Sequence, residues 1–123
     1  DFSAGYESVK DICLLSMSGD SEDPEGIRDA ILQEGARIAA QGIGEEDFLR
    51  MKRSALGSRI RALDQFDSVC FRLCAYYFTG FDYFAFPEIY EQVRSEDVQA
   101  FIARVVTPER CSLSLIEPKE DRV

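Results

Sequence analysis

The hydrophobic and polar positions follow a helical repeat most clearly over residues 44–80, where two consecutive helices are predicted. The first begins at three acidic residues, 45–47, which favour a helix N-terminus because they compensate the helix dipole. From Phe48 to Leu63 the apolar residues recur at intervals close to 3.6, which is typical of an amphipathic helix. The other side of this helix carries a basic face, defined here as Arg50, Lys52, Arg53, Arg59 and Arg61.

The second helix, predicted over residues 68–79, is apolar on nearly every side. Asp64 or Asp67 is expected to cap its N-terminus, and Gly80 is expected to end it. About a dozen residues are too few to cross a bilayer. We therefore interpret this helix as a buried core helix or as an interface.

Three further helices are predicted around this pair. Asp23 is the expected N-cap of a helix that begins at Pro24 and continues to about Gln41. A short helix is predicted over residues 87–93, and an amphipathic helix begins at Ser95.

The helix over residues 24–41 carries an apolar stripe formed by Ile27, Ile31 and Ile38. Gly35 and the alanines that follow it leave the helix thin, so a neighbouring element is expected to approach it closely.

Two segments have strand patterns. Residues 6–19 are predicted to form a strand whose second half is apolar on both faces, and residues 111–115 alternate as a strand with one wet face does. The fold class is therefore predicted as helix-rich α+β, with helices packed on one face of an antiparallel sheet. Because about two strands do not make a stable sheet alone, residues 1–123 are interpreted as a single partial domain, with a flexible tail at residues 117–123.

An aromatic segment at residues 81–87 allows two interpretations. Its rings could fill gaps between helices, or they could form a contact surface for a partner or peptide. The candidate interface residues are Phe81, Tyr83, Phe84, Arg50 and Arg53.

A net charge of -9 and a pI near 4.5 argue against nucleic acid or an anionic membrane as partner, because either surface would repel the chain. No membrane span is predicted. The basic face is interpreted either as a solvated surface with pairs such as Glu46 to Arg50, or as a site that docks on an acidic partner domain.

Four cysteines, Cys13, Cys70, Cys74 and Cys111, are interpreted as buried free thiols, which favours a reducing cytoplasm. Two disulfides, a metal site built from all four sulfurs, and a thiol or metal sensor at Cys70 and Cys74 are the alternatives. The sequence contains no histidine, which excludes Ser-His and Cys-His nucleophiles and the common histidine-bearing zinc sites. No catalytic or metal-ligating residue is predicted in this chain, and no cofactor is expected in it.

Several short motifs, taken together in their order, resemble the last part of an insulinase-like zinc peptidase domain, of the pitrilysin and mitochondrial processing peptidase type. The similarity extends over nearly the whole chain and is greatest to bacterial members. The motifs are Asp23-Pro24-Glu25, Gly44-Glu45-Glu46-Asp47-Phe48, Ala55-Leu56-Gly57, Tyr76-Tyr77-Phe78 with Gly80, Phe86-Pro87-Glu88, Ser95 with Asp97-Val98, and Cys111-Ser112-Leu113-Ser114-Leu115.

The resemblance implies a half-domain in a parent whose two halves enclose a chamber for peptides. The zinc motif of the family, His-x-x-Glu-His with a distal Glu, is not in this chain, so zinc is expected only in an active parent. An arginine and a tyrosine that steady the peptide are expected upstream of Asp1. The expected partners are the rest of the parent or a paired subunit, and a peptide substrate for the parent.

Two functions follow as hypotheses. The first is a non-catalytic segment that serves as scaffold and chamber wall of the peptidase. The second is an independent helical interaction domain that dimerises through residues 68–79 and the aromatic segment.

Overall fold

The computed structural model describes residues 2–9 and 12–117, and in these ranges five α-helices and one pair of strands are formed. In chain order the elements are β1 (Phe2–Val9), β2 (Ile12–Gly19), α1 (Pro24–Gln41), α2 (Glu45–Arg61), α3 (Phe66–Thr79), α4 (Phe86–Gln92) and α5 (Ser95–Val105). Short 3-10 helices occupy Ala62–Asp64, Tyr83–Ala85 and Pro108–Arg110. The fold is therefore helix-rich α+β, as the sequence predicts.

Helix α1 begins at the cap that the sequence predicts. The carboxylate of Asp23 accepts a hydrogen bond from the backbone N–H of Gly26 at 2.9 Å, which satisfies one of the unpaired donors at the helix start. At the other end Gly42 has a φ of 76°, a left-handed conformation that glycine adopts without steric cost. The predicted bounds of this helix are confirmed.

The break between α2 and α3 lies where the sequence predicts it, but the predicted cap is wrong. A 3-10 turn continues α2 as far as Asp64, so the extended residue that precedes α3 is Gln65. No side chain caps this helix start, and Asp67 lies inside the first turn.

The segment predicted as one strand over residues 6–19 is part of an antiparallel hairpin instead. Strand β1 pairs with β2 so that Tyr6 lies opposite Leu15 and Val9 lies opposite Ile12. Strand β1 contains Ser, Gly and Glu, which weaken the strand pattern and hide it in the sequence. Every described side chain of the hairpin is exposed, so the predicted packing of helices on one sheet face is not found there.

The prediction of a second strand at residues 111–115 is wrong. Residues 111–117 adopt neither helix nor strand, and all of them are exposed. Alternation of apolar and polar residues gives an extended segment, but a strand also requires a neighbour that completes its hydrogen bonds. Of the predicted flexible tail, residues 117–123, all but Glu117 lie outside the described residues.

The contacts divide the chain into two units. Of the described residues, the first unit contains 2–9, 12–40 and 102–117, and the second contains 41–101. In the first unit Gly35 is buried against Val106, which confirms the predicted close approach to α1. In the second unit lie the two hydrophobic residues of the described chain that are buried, Phe48 and Tyr83.

Within residues 2–9 and 12–117, no helix combines the length and the apolar character needed to cross a membrane.

Candidate interaction surface

Helix α3 exposes large apolar side chains to solvent. Phe71 is 76% exposed and Phe78 is 83% exposed, and no residue of the helix is buried. The prediction of a buried core helix is therefore wrong for this chain. Its sequence is apolar on nearly every side, and the described chain covers only part of that surface. The other interpretation, an interface, stays a prediction.

The C-terminus of α3 turns the chain back along the helix. Gly80 has a φ of 80°, as predicted for the residue that ends the helix. The N–H of Gly80 donates to the carbonyl of Tyr77 at 3.1 Å, and the N–H of Phe81 donates to that of Tyr76 at 3.0 Å. These two bonds form a Schellman motif, which satisfies the last carbonyls of the helix.

A groove lies between α3 and the segment after this turn. We call it the α3 groove, and its volume is about 650 Å³. It is lined by Leu73, Cys74, Tyr77, Phe78, Gly80, Phe81, Asp82 and Tyr83. All of these residues except Asp82 are apolar, aromatic or glycine, so the groove suits an apolar occupant.

Tyr83 anchors the aromatic segment inside the second unit. It is only 3% exposed. Its ring makes edge contacts with Tyr76 and Phe84, each at a centroid distance of 5.5 Å, and a tilted contact with Phe86 at 6.0 Å. The guanidinium carbon of Arg59 lies 6.0 Å from the centroid of the same ring. Tyr83 therefore fills the interior, as the first interpretation of this segment predicts.

The neighbours of Tyr83 face solvent. Phe81 is 65% exposed and Phe84 is 57% exposed. The segment forms a 3-10 turn, Tyr83–Ala85, where a loop was predicted. Oδ1 of Asp82 accepts a hydrogen bond from the N–H of Phe84 at 2.9 Å at the start of this turn. The two interpretations of the aromatic segment thus apply to different residues. The described residues give the buried hydroxyl of Tyr83 no hydrogen-bond partner.

The two arginines of the predicted interface lie elsewhere. Arg50 and Arg53 are exposed on α2, and neither lines the α3 groove. Arg50 is paired with Asp47, at 2.9 Å between Nη2 and Oδ1. The predicted pair with Glu46 is not formed, because the spacing of three residues already supplies a carboxylate on the same helix face.

The basic face does not act as one solvated surface. The ammonium of Lys52 donates to the carbonyl of Val93 at 2.7 Å and to that of Glu91 at 3.0 Å. Arg59 is turned towards Tyr83, as described above. The predicted solvated face is therefore wrong for these two residues, which are partly buried against other residues of the second unit.

All four cysteines are exposed, and none is in a disulfide. The prediction of buried thiols is wrong, because strand β2, helix α3 and the irregular segment at residues 111–117, which carry them, are not covered. Cys13 accepts a hydrogen bond from the Tyr6 hydroxyl at 3.0 Å. No group of three or more histidine, cysteine, aspartate or glutamate residues is arranged for a metal ion in the part of the chain that the structure describes.

Comparisons with family models, with curated proteins and with solved structures found no match for this sequence. Function must therefore be inferred from the surface itself.

Proposed function

We propose that this chain is a non-catalytic segment of an insulinase-like, zinc-dependent peptidase and forms scaffold and wall of its peptide-enclosing chamber. The observation that carries the proposal is the exposure of Phe71 and Phe78 on α3 beside an apolar groove. The rest of the parent, or a paired subunit, covers this surface in the assembled protein.

The free energy of covering α3 favours such a partner. Fully burying one phenylalanine side chain is worth about 1.5–3 kcal/mol, and several large rings of α3 and of the aromatic segment are exposed together. An apolar surface of this kind, rimmed by polar residues, is typical of a protein contact.

The hairpin supports the same proposal. A two-stranded sheet that is exposed on both faces is only marginally stable, and each strand has an outer edge at which a further strand can form hydrogen bonds. Further strands from the parent would complete these hydrogen bonds and cover one face.

Catalysis belongs to the remainder of the parent in this proposal. The sequence has no histidine, so the metal ligands and the general base of the zinc motif would come from another part of the protein. The cytoplasm is proposed as the location, because four exposed thiols persist as thiols in a reducing compartment.

The purified chain tests the catalytic part of the proposal. We expect it to bind no stoichiometric zinc by native mass spectrometry and to cleave no unstructured peptide with or without zinc. Zinc-dependent cleavage by the chain alone would contradict the proposal.

Thiol labelling tests the structural part. Cys74 lines the α3 groove and is exposed. In a variant that keeps only this cysteine, we expect maleimide to label the isolated chain rapidly and the intact parent slowly. Rates in urea serve as the reference for full accessibility. Equal labelling rates in chain and parent would show that the groove is not covered.

A second candidate function is supported by the same exposed helix. The chain could be an independent interaction domain that pairs α3 of one copy with α3 of another. Sedimentation of the chain mixed with the rest of the parent separates the two candidates. An independent dimerisation domain stays dimeric in the mixture, whereas a chamber wall gives up its α3 dimer contact and binds the parent.

A further inference from the structure

A second cavity, of about 250 Å³, lies in the unit formed by residues 41–101 and shares no lining residue with the α3 groove. Helices α2, α3 and α4 all contribute to it. Its lining residues are Ala55, Ser58, Arg59, Ala62, Arg72 and Tyr90.

One face of α2 forms most of this cavity. Ser58 and Arg59 lie three and four residues after Ala55 on α2, so these side chains share a helix face. Ala62 follows three residues after Arg59, in the 3-10 turn that continues the helix. The two alanines are small and leave the space open. Ser58 and Arg59 add polar side chains to the lining, and the guanidinium carbon of Arg59 also lies 6.0 Å from the ring centroid of Tyr83.

Arginine side chains from two helices line the cavity. Arg59 comes from α2 and Arg72 comes from α3, and both side chains are half-buried. Neither forms an ion pair with a carboxylate of residues 2–9 or 12–117, although the chain has 23 acidic residues and 14 basic ones. Two positive charges beside one cavity repel each other, and an anion between them would reverse that repulsion.

Two hydroxyl groups complete the donor set. The oxygen of Ser58 accepts from Nη2 of Arg61 at 3.2 Å, which leaves its O–H to be donated. Tyr90 is held by an edge contact with Phe86, at a centroid distance of 6.4 Å and an angle of 87°. The cavity is thus lined by several donors and, among the described residues, by no carboxylate.

We propose that this cavity binds a phosphate group, either as free phosphate or as part of a small phosphorylated molecule. Guanidinium groups bind phosphate through paired, charge-assisted hydrogen bonds. Donors from three helices suit the separated oxygens of a tetrahedral anion better than the two coplanar oxygens of a carboxylate. The site is distinct from the chamber wall and does not depend on that function.

Inorganic phosphate, titrated into the whole chain at constant ionic strength, tests the proposal. We expect saturable amide chemical-shift changes that centre on Ser58 and Tyr90. The variant R72Q should weaken phosphate binding at least about tenfold, since it removes one charge-assisted contact. R53Q is the matched control, because Arg53 is exposed on α2 and does not line the cavity, so its affinity should stay unchanged.

Arg59 also packs on Tyr83, so R59Q could disturb the fold. R59K keeps the charge, and it should weaken binding less than R72Q does if the variant remains folded by circular dichroism. No saturation with phosphate, unchanged affinity in R72Q, or acetate binding as tightly as phosphate would each overturn the proposal.

Discussion

Two helical glycines show how the surroundings of a residue decide its role. At Gly35 in α1, a Cβ would lie 2.6 Å from Cγ1 of Val106 and 3.1 Å from its Cβ. At Gly57 in α2, a Cβ would meet nothing within 4 Å. Only the first glycine is required by packing.

We expect G35A to destabilise the protein and G57A to stabilise it. The added methyl at position 35 must displace a β-branched side chain, which costs about 1–3 kcal/mol and exceeds the helix gain of about 0.5–1 kcal/mol. At position 57 only the gain remains. Urea unfolding of both variants measures the difference.

The double variant G35A/V106A provides the control, because a smaller residue at position 106 removes the clash. The two changes should therefore couple favourably in a double-mutant cycle. Equal effects of G35A and G57A would contradict the assigned role of Val106.

The carboxylate of Glu34 has a lowered pKa, because Arg37 donates two hydrogen bonds to it, at 2.6 and 2.8 Å, and attracts its negative charge. A lowered pKa in the folded state means that the ion pair contributes stability above the unfolded pKa. That contribution is lost as the pH falls through the folded pKa. Because the pair is on the surface, salt weakens it.

We therefore expect the pKa of Glu34 to rise in R37Q and in high salt, as measured by an NMR titration of its side-chain carboxyl carbon. A titration curve that is the same in both proteins at low salt would show that the pair does not persist in solution.

At the scale of elements, Lys52 joins α2 to the end of α4. The carbonyls at a helix C-terminus have no partner in the helix, and the ammonium of Lys52 satisfies those of Glu91 and Val93. Its charge also lies 5.7 Å from the ring centroid of the buried Phe48. One residue of the predicted basic face thus fixes how two helices meet.

Replacing Lys52 by methionine keeps the apolar stem and removes the donor. We expect K52M to lower the free energy of unfolding by about 1–3 kcal/mol and to speed amide exchange in α4. R53M is the neighbouring control and should change stability by less than about 0.5 kcal/mol, because Arg53 is exposed. The assignment fails if both variants are equally stable.

At the scale of the whole molecule, far more large hydrophobic side chains of the described residues are exposed than are buried. Among the described residues, Phe48 and Tyr83 are the buried hydrophobic ones, whereas aromatic side chains of α3 and the hairpin face solvent. A partner that covers α3 would supply the burial that the chain does not provide for itself.

For the isolated chain we expect self-association through α3. F78S should raise the dissociation constant by at least about tenfold, because burial of one phenylalanine is worth about 1.5–3 kcal/mol. Sedimentation equilibrium measures this change.

The matched control is I116S, which removes a large apolar side chain outside α3 that is 98% exposed. An isolated chain that stays monomeric at all concentrations, or equal effects of the two variants, would contradict an α3 contact.

The sequence predicted most helices, because their signals are local. Asp23, Gly42 and Gly80 act on the backbone within one turn, and each marks a helix end in the structure. Of the aromatic residues predicted for an interface, Phe81 and Phe84 are exposed and Tyr83 is buried, and the interface itself stays a prediction. The cavity lined by Arg59 and Arg72 was not predicted, although Ala55, Ser58 and Arg59 share one helix face in the sequence, because Arg72 and Tyr90 join it only through packing.

By itself the sequence determined the α+β class, the number and order of the main helices, and the acidic net charge, since these depend on nearest neighbours and on composition. The tertiary structure decided that the two strands of the hairpin pair with each other and that residues 111–115 form no strand. It also decided which apolar faces are covered and which arginines line the same cavity. Those properties depend on contacts between residues far apart in the chain. A repeat of apolar residues identifies the apolar face of an element but does not identify the element that packs against it.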